Sequence, residues 1–317
     1  MRTTVLLISA DRADDLRHSL PAAMAQDGAE VVVVDNASSD ATGRLTAEHG
    51  ARHLRFDERL SWAAANNRAI ADTGGDAVLL LNADCFLAPG FLEAATGALE
   101  HPGVGSVAPK LVRTEGPEPG RRLDAIDAVG MVLDRRRKNN LAGHGRPALA
   151  YETPGPCFGP DGAAALYRRE TLEDCAVDGG ILDEQFEKWA SDVDLAWRAQ
   201  LLGWSCVYEP RAVAYHVRSY SPTTRASLPE RDRRTQFRNR YLMITKNESV
   251  AGLLRDLPRI VLYEALALGH AVLRERHLLR GYAEAARLLP SALRKRRAVQ
   301  RRRRPGVRVP FGLEPQP

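Results

Sequence analysis

Residues 31–34 and 78–81 are continuous apolar runs, VVVV and VLLL, each closed by polar groups: Asp35 and Asn36 after the first, Asn82 and Asp84 after the second. Runs this short, without polar alternation, predict strands buried on both faces of a parallel sheet. Residues 3–9 predict a first strand and residues 13–26 a helix; another helix starts near Thr42, and residues 103–110 predict a strand with Val104 and Val107 as its apolar positions. Strand followed by helix, repeated, is the signature of a doubly wound α/β sheet. Ligands bind such sheets at the carboxyl ends of the strands, where Asp35 and Asp84 fall.

Trp189, Val193, Trp197 and Leu201 recur every four residues and predict one apolar helix face. Ser191 with Asp194 has the form of a capping box, which starts that helix at Ser191 and puts Asp192 in its first turn, off the buried stripe. Asp194 and Arg198 form an i,i+4 pair with a structural role. Gly203 and Trp204 end the helix, and short strands follow at 206–208 and 212–215, the second delivering His216. Residues 113–147 are rich in Arg, Gly and Pro and contain the run Arg135-Arg136-Arg137-Lys138. They predict a long mobile loop, either simply solvated or folding over a phosphorylated ligand.

The 317 residues, 44% of them apolar, suffice for one large domain and an appendage. Four scattered cysteines without a CxxC pair argue against a zinc site or a disulfide framework and fit a reducing compartment. The apolar run at 5–8 is too short for a signal peptide. The net charge of +5 conceals a split: residues 251–305 carry 14 Arg or Lys against four acids, which leaves residues 1–250 acidic. Within that segment, residues 260–268 are interrupted by Glu264, too short and too charged to span a bilayer. Amphipathic helices with basic runs at 294–297 and 301–304 fit peripheral contact of 251–304 with an anionic membrane leaflet. Packing on the main domain and an oligomer interface stay open as alternatives. A nucleic-acid partner is disfavoured because no aromatic residues interleave the basic run.

The absence of G-x-G-x-x-G after the first strand argues against a nicotinamide-binding domain. The loop DNASSD at 35–40 can accept hydrogen bonds from a nucleobase or ribose, or form an Asx turn that caps a helix. In RLSWAAANNRAI at 59–70, small residues let backbone approach a ligand, and Asn66, Asn67 and Arg68 have the reach for phosphate or sugar; a polar-faced helix accounts for them equally. Asp84 can hold a divalent cation against a diphosphate or cap the helix that begins near Phe91. The stretch GPDGAAALY at 159–167 includes Gly162 and can set backbone beside a substrate. Trp62 and Trp189 can line a sugar pocket, although tryptophan is core by default.

Six blocks in register, VVVVDNASSD (31–40), RLSWAAANNRAI (59–70), LLLNAD (79–84), GAAALYRRETL (162–172), SDVDLAWRAQLLGW (191–204) and AVAYHVRS (212–219), resemble the inverting family-2 glycosyltransferases of the GT-A fold, especially the rhamnosyltransferase-like branch. The resemblance covers residues 3–220. It implies a catalytic domain over 1–225, a helical basic region over 226–305 and a tail over 306–317. It implies that Asp35 contacts the base of a nucleotide-sugar, with Asn36 and Asp40 shaping that pocket; that Asp84 holds Mg²⁺ or Mn²⁺ on the donor diphosphate, with His216 a second ligand; and that Asp192 is the general base for an acceptor hydroxyl. The partners implied are dTDP-rhamnose or a UDP-sugar and a cell-envelope glycan or lipid-linked acceptor, with the enzyme cytoplasmic at the inner membrane face.

Two positions depart from the family's pattern. Ser191 stands where an acid often precedes the base, and Asn82 where other branches have a first aspartate. Ser191 alone favours a rival, a degenerate module that binds nucleotide-sugar or glycan without turnover. A nucleotidyltransferase would need a basic Gly-rich loop after the first strand, which residues 9–12 do not supply.

Overall fold

The computed structural model describes residues 1–218 and 222–317; Ser219 and Tyr220, the end of the family-like stretch, lie outside them. The chain opens as β1 (Thr3–Ser9), α1 (Ala13–Met24), β2 (Ala29–Asp35), α2 (Thr42–Glu48), β3 (Arg52–Arg55), α3 (Trp62–Ala71), β4 (Ala77–Asn82), β5 (Cys85–Leu87), α4 (Phe91–Leu99) and β6 (Val104–Thr114). It continues with β7 (Arg122–Ala128), β8 (Met131–Leu133), β9 (Asn139–Leu141), β10 (Gly155–Cys157), β11 (Ala164–Arg168), α5 (Arg169–Asp174), α6 (Ser191–Leu202) and β12 (Ser205–His216). Three helices close it: α7 (Glu230–Asn247), α8 (Val250–Leu273) and α9 (Leu278–Arg302).

Among the described residues, ten strands make one mixed sheet, β10-β12-β6-β11-β4-β1-β2-β3, with β5 on β12 and β7 on β6. β1 to β4 are mutually parallel, and β11 runs against β4 and β6. The uninterrupted apolar runs are explained by their neighbours. Val5, Leu7, Val31, Val33, Leu79 and Leu81 face one layer, with α1 and α4. Leu6, Ile8, Val32, Val34, Val78 and Leu80 face the other, with α3 and α6. Alternate side chains leave a strand on opposite faces, so a strand covered on both sides has no position for a polar residue. The run ends at Asn82 because Asn82 is the first residue beyond the covering helices that meets the cavity.

α6 begins at Ser191, as the sequence predicts, but without the capping box. Its N-cap is Ala190, in the left-handed region at φ 65°, and Trp189 precedes it at φ 71°. That turn takes Trp189 off the helical stripe and into a cavity wall, while Val193, Trp197 and Leu201 pack against α7 and α9. Asp194 turns inward to the Arg198 guanidinium at 2.9 Å, the structural pairing expected. Gly203, at φ 89°, closes the helix in a conformation that favours glycine.

Three readings of the sequence need correction. Residues 113–147 are not a long loop: they hold β7, β8 and β9. Arg137 is fully buried, its guanidinium held by Glu248 and by Asp256 at 3.0 Å and stacked 3.6 Å over the Phe311 ring. Those partners lie more than a hundred residues away, so the basic run reads locally as solvated. The two short strands after α6 are one, β12, with an irregular register between Glu209 and Val213. Asp84 does not cap α4, whose N-cap is Gly90.

The basic C-terminal segment is in part packed inward. Lys295 reaches Gln185 at 3.0 Å as well as Asp183, Arg296 donates to the Thr245 oxygen at 2.9 Å, and Arg302 donates to the Ala176 oxygen at 2.9 Å. No helix among the described residues is long and apolar enough to cross a membrane.

Candidate active site

A cavity of about 710 Å³ opens at the carboxyl end of β4. Trp62, Asn82, Asp84, Gly162, Trp189, Asp192 and His216 all line it. They arrive from five separate places in the chain, and the sheet explains how. β5 pairs with β12 so that His216 stands opposite Cys85, beside Asp84. The Val217 amide fixes the turn by donating to the Asp84 carbonyl at 3.0 Å. His216 also stands opposite Arg113 on β6, and β7, folded back on β6, brings Asp127 to the imidazole. The loop entering β11 is tied to β4 by the Asn82 amide, which donates to the Ala163 oxygen at 2.9 Å.

The donor-side groups form a connected charge network. His216 Nε2 lies 3.6 Å from Asp84 Oδ1, and its Nδ1 lies 2.8 Å from Asp127 Oδ2. Arg218 bridges Asp127 at 2.6 Å and Asp161 at 3.0 Å. Arg12 reaches across from the start of α1 to Asp84 at 3.0 Å. Burial disfavours the imidazolium, but the Asp127 and Asp84 carboxylates outweigh it and raise the His216 pKa to about 9. Burial pushes Asp84 up, and His216 and Arg12 more than offset it, so its carboxyl sits below its ordinary value.

Asp192 is shifted the other way. Burial in the cavity wall raises its carboxyl first, and the nearby Asp161 carboxylate raises it further, up to about 6. The Val193 amide at 2.8 Å and the Gly162 amide at 3.3 Å donate to it and offset only part of that rise. Gly162 also has its α-carbon facing both Asp192 and the Trp62 ring, with a Cβ there meeting each at about 3.5 Å. Trp62 is aimed by its indole N–H, which donates to Asn82 Oδ1 at 3.1 Å. A half-buried carboxylate that titrates near neutrality is suited to accept a proton at physiological pH.

The remaining residues singled out in the sequence lie outside this cavity. Asp35 is buried two strands away and receives the Ser38 amide at 2.8 Å, His53 at 3.0 Å and Arg55 at 2.7 Å. Burial raises its carboxyl, and these bonds outweigh that and lower it. Asn36 exchanges hydrogen bonds with the Leu60 backbone, both at 2.9 Å. Asp40 accepts from the Ala13 amide at 2.7 Å and the Thr42 amide at 3.0 Å, holding the starts of α1 and α2. Asn66 donates to the Trp62 oxygen at 2.8 Å within α3, and Asn67 brackets the Leu182 backbone at 2.8 and 2.9 Å. Asp127, Asp161 and Arg218 were not singled out. Arg218 had a signal: it stands two residues after His216, the spacing that returns an extended chain to the same side.

A mixed sheet with a ligand cavity at the strand ends, carboxylates on opposite walls and helices on both faces defines the GT-A class of transferase folds. The solved structures agree: Staphylococcus aureus TarS in complex with UDP-GlcNAc superimposes with a TM-score of 0.60 at 16% identity, covering 92% of this chain and 83% of that one. GalNAc-T7 with UDP, GalNAc and Mn²⁺ gives a TM-score of 0.59 at 12% identity, covering 78% and 48%.

The chain belongs to glycosyl transferase family 2, whose sequence model matches residues 4–175. A protein of Mycobacterium tuberculosis named N-acetylglucosaminyl-diphospho-decaprenol L-rhamnosyltransferase is 27% identical over 210 residues, 60% of this chain and 67% of that protein. The uncharacterized protein y4gI of Sinorhizobium fredii is 28% identical over 207 residues, 61% of this chain but only 21% of its own length. The succinoglycan biosynthesis protein ExoU of Rhizobium meliloti is 29% identical over 171 residues, 44% and 50%.

Proposed function

We propose that the protein is an inverting glycosyltransferase that moves L-rhamnose from a nucleoside diphosphate donor to a hydroxyl of a cell-envelope glycan or lipid-linked acceptor, at the inner face of the cytoplasmic membrane. The catalytic unit is residues 1–225, and the helices after it serve the acceptor side. One observation carries this reading: a carboxylate raised to about 6, Asp192, shares a cavity with the Asp84–His216 pair. Similarity to the mycobacterial rhamnosyltransferase supports the choice of sugar.

The acceptor hydroxyl is a poor nucleophile, and Asp192 takes its proton as the oxygen attacks the anomeric carbon. The diphosphate leaves from the opposite face, so one displacement inverts that carbon. Trp62, Asn82, Gly162 and Trp189 shape the sugar pocket between the two. Asp35, with Asn36 and Asp40 holding its loop, faces the nucleobase. Two strand spacings separate β2 from β4, roughly 10 Å, a span a nucleoside diphosphate bridges. Asn66 and Asn67 hold α3 behind the donor.

Asp84 and His216 fit Mg²⁺ or Mn²⁺, since a carboxylate oxygen and an imidazole nitrogen 3.6 Å apart are donors these ions accept. No group of three His, Cys, Asp or Glu forms a metal cluster among the described residues, so diphosphate oxygens and water must complete the shell. When bound, the ion stabilises charge on the departing diphosphate. His216 has to shed a proton to ligate, which ties affinity to rising pH. Asp127 holds the ring through Nδ1 so that Nε2 faces Asp84. Asp127→Asn should therefore weaken Mn²⁺ binding in the presence of nucleoside diphosphate by about 10–100-fold, read by Mn²⁺ titration; unchanged affinity removes His216 from the ligand set.

The donor assignment is tested by a thermal-shift screen of dTDP- and UDP-sugars with Mg²⁺ or Mn²⁺. A ligand at a hundred times its Kd should raise Tm by about 2–6 °C for a chain of this size. If no nucleoside diphosphate shifts Tm, the donor assignment fails.

A further inference from the structure

The cavity continues past Asp192, and its outer end has a different chemistry. Arg225, Arg233 and Arg240 line it together with Phe237, Tyr263 and Leu266. Glu275 serves both Arg225, at 3.0 and 3.2 Å, and Arg233, with His270 a further 3.4 Å from it. One carboxylate between two guanidiniums leaves the wall cationic. The Arg233 Nε is buried and has no hydrogen-bond partner among the described residues. Arg240 is fixed to Glu264 at 2.6 Å and to the Arg136 and Arg137 carbonyls at 2.6 and 3.0 Å, so it frames the site.

The opening of this end is apolar. Tyr263, Leu266, Ala267 and His270 fall three or four residues apart on α8, one stripe facing the cavity. Leu266 is also 66% exposed, so the lining runs without a break onto the outer surface of the helix. There Leu254, Leu257, Val261, Leu268 and Val272 repeat at the same spacings, all exposed. An apolar surface of this extent marks an interaction site. Arg259, Arg274 and Arg280 are exposed and have no acid partner among the described residues. Exposed arginines around an apolar helix face complement an anionic bilayer. With no helix long enough to cross, α8 lies along the surface.

We infer that the outer end of the cavity is the acceptor site, and that the acceptor is a glycosylated polyprenyl-type lipid diphosphate held in an anionic membrane. Its phosphates meet Arg225 and Arg233, where planar guanidiniums give paired, charge-assisted hydrogen bonds. Its chain passes Leu266 onto the exposed face of α8, and its sugar reaches Asp192. The inference rests on the glycosyltransferase reading and narrows it from any envelope glycan to a lipid-borne one.

The test is co-sedimentation of the full chain with phosphatidylcholine vesicles, alone, with phosphatidylglycerol, or with a polyprenyl diphosphate at matched charge. Binding should be absent on the neutral vesicles, present with phosphatidylglycerol, and several-fold stronger with the polyprenyl diphosphate. The double variant Arg225→Gln/Arg233→Gln should lose only the extra binding, and Leu254→Glu/Leu262→Glu, both on the exposed face, should lose all of it. Should the arginine variant fail to fold, inorganic diphosphate added to the native protein should erase the same increment. Equal binding to the two charged vesicles overturns the phosphate site. Binding to neither, or a stable dimer that the leucine variant dissociates, overturns the membrane orientation. Failure of every nucleoside diphosphate to raise Tm is a separate result: it defeats the transferase reading and leaves a lipid site in place.

Discussion

Asp192→Asn should lower transfer by about 10²–10⁴-fold, the range a positioned general base supplies, while donor binding and Tm persist. The substitution keeps the shape of the side chain and the hydrogen bonds from the Gly162 and Val193 amides, but it removes the only atom able to carry the acceptor's proton. The pH profile gives a sharper form of the same prediction. With its carboxyl at about 6, Asp192 is protonated and inactive below that pH. In the native enzyme kcat/KM should climb tenfold per unit up to about pH 6 and then level, and the residual activity of Asp192→Asn should lack that limb. The stability sign runs opposite. A carboxyl raised on folding costs stability as pH rises from its unfolded value through about 6, so the asparagine variant should melt no lower than the native protein at pH 8. Full transfer activity in a folded Asp192→Asn would remove Asp192 from the chemistry.

The two carboxylates that anchor this scheme were legible because each ends a local pattern. Asp84 follows an apolar strand that stops abruptly, and Asp192 opens an amphipathic helix. The parallel sheet was legible for a related reason: Val31 to Val34 and Val78 to Leu81 have both faces covered, and the composition records it. What was hidden depends on residues far apart in the chain. Asp127 sits in an Arg- and Gly-rich stretch that reads as loop, and its partners His216 and Arg218 come 89 and 91 residues later. Arg137 is buried only because α8 brings Asp256 to it. Asn67 has the reach for a sugar, yet its amide is committed to the Leu182 backbone, 115 residues on. Trp189 fits a four-residue period by coincidence of spacing, and the left-handed turn at Ala190 breaks the period before the helix starts. Local periodicity reports what covers a residue; it does not report which distant group pairs with it.

Lys246→Ala should destabilise the protein by about 3–5 kcal/mol, the cost of breaking a buried ion pair from one side. Lys246, near the end of α7, is 2% exposed, with its ammonium 2.7 Å from Asp183 and 2.9 Å from Asp194, over the Phe186 ring. Asp194 belongs to the first turn of α6, two residues from the proposed base. Asn247 donates to its other oxygen at 2.8 Å. Truncation would leave Arg198 as the remaining cation on Asp194, and Lys295 on Asp183. Burial raises the Asp183 carboxyl, but Lys246 and Lys295 outweigh it and hold the group well below its ordinary value. A depressed carboxyl contributes stability above its unfolded value, and that contribution is lost as pH falls through the folded one. The destabilisation measured by urea unfolding should therefore be full near pH 7 and shrink in acid. Lys246→Met, which keeps the stem but not the charge, should lose nearly as much, because the penalty comes from two uncompensated buried carboxylates and not from a cavity. If methionine restored native stability, the network would be packing with incidental charge. If it does not, the C-terminal helices hold α6, and with it Asp192, in place electrostatically.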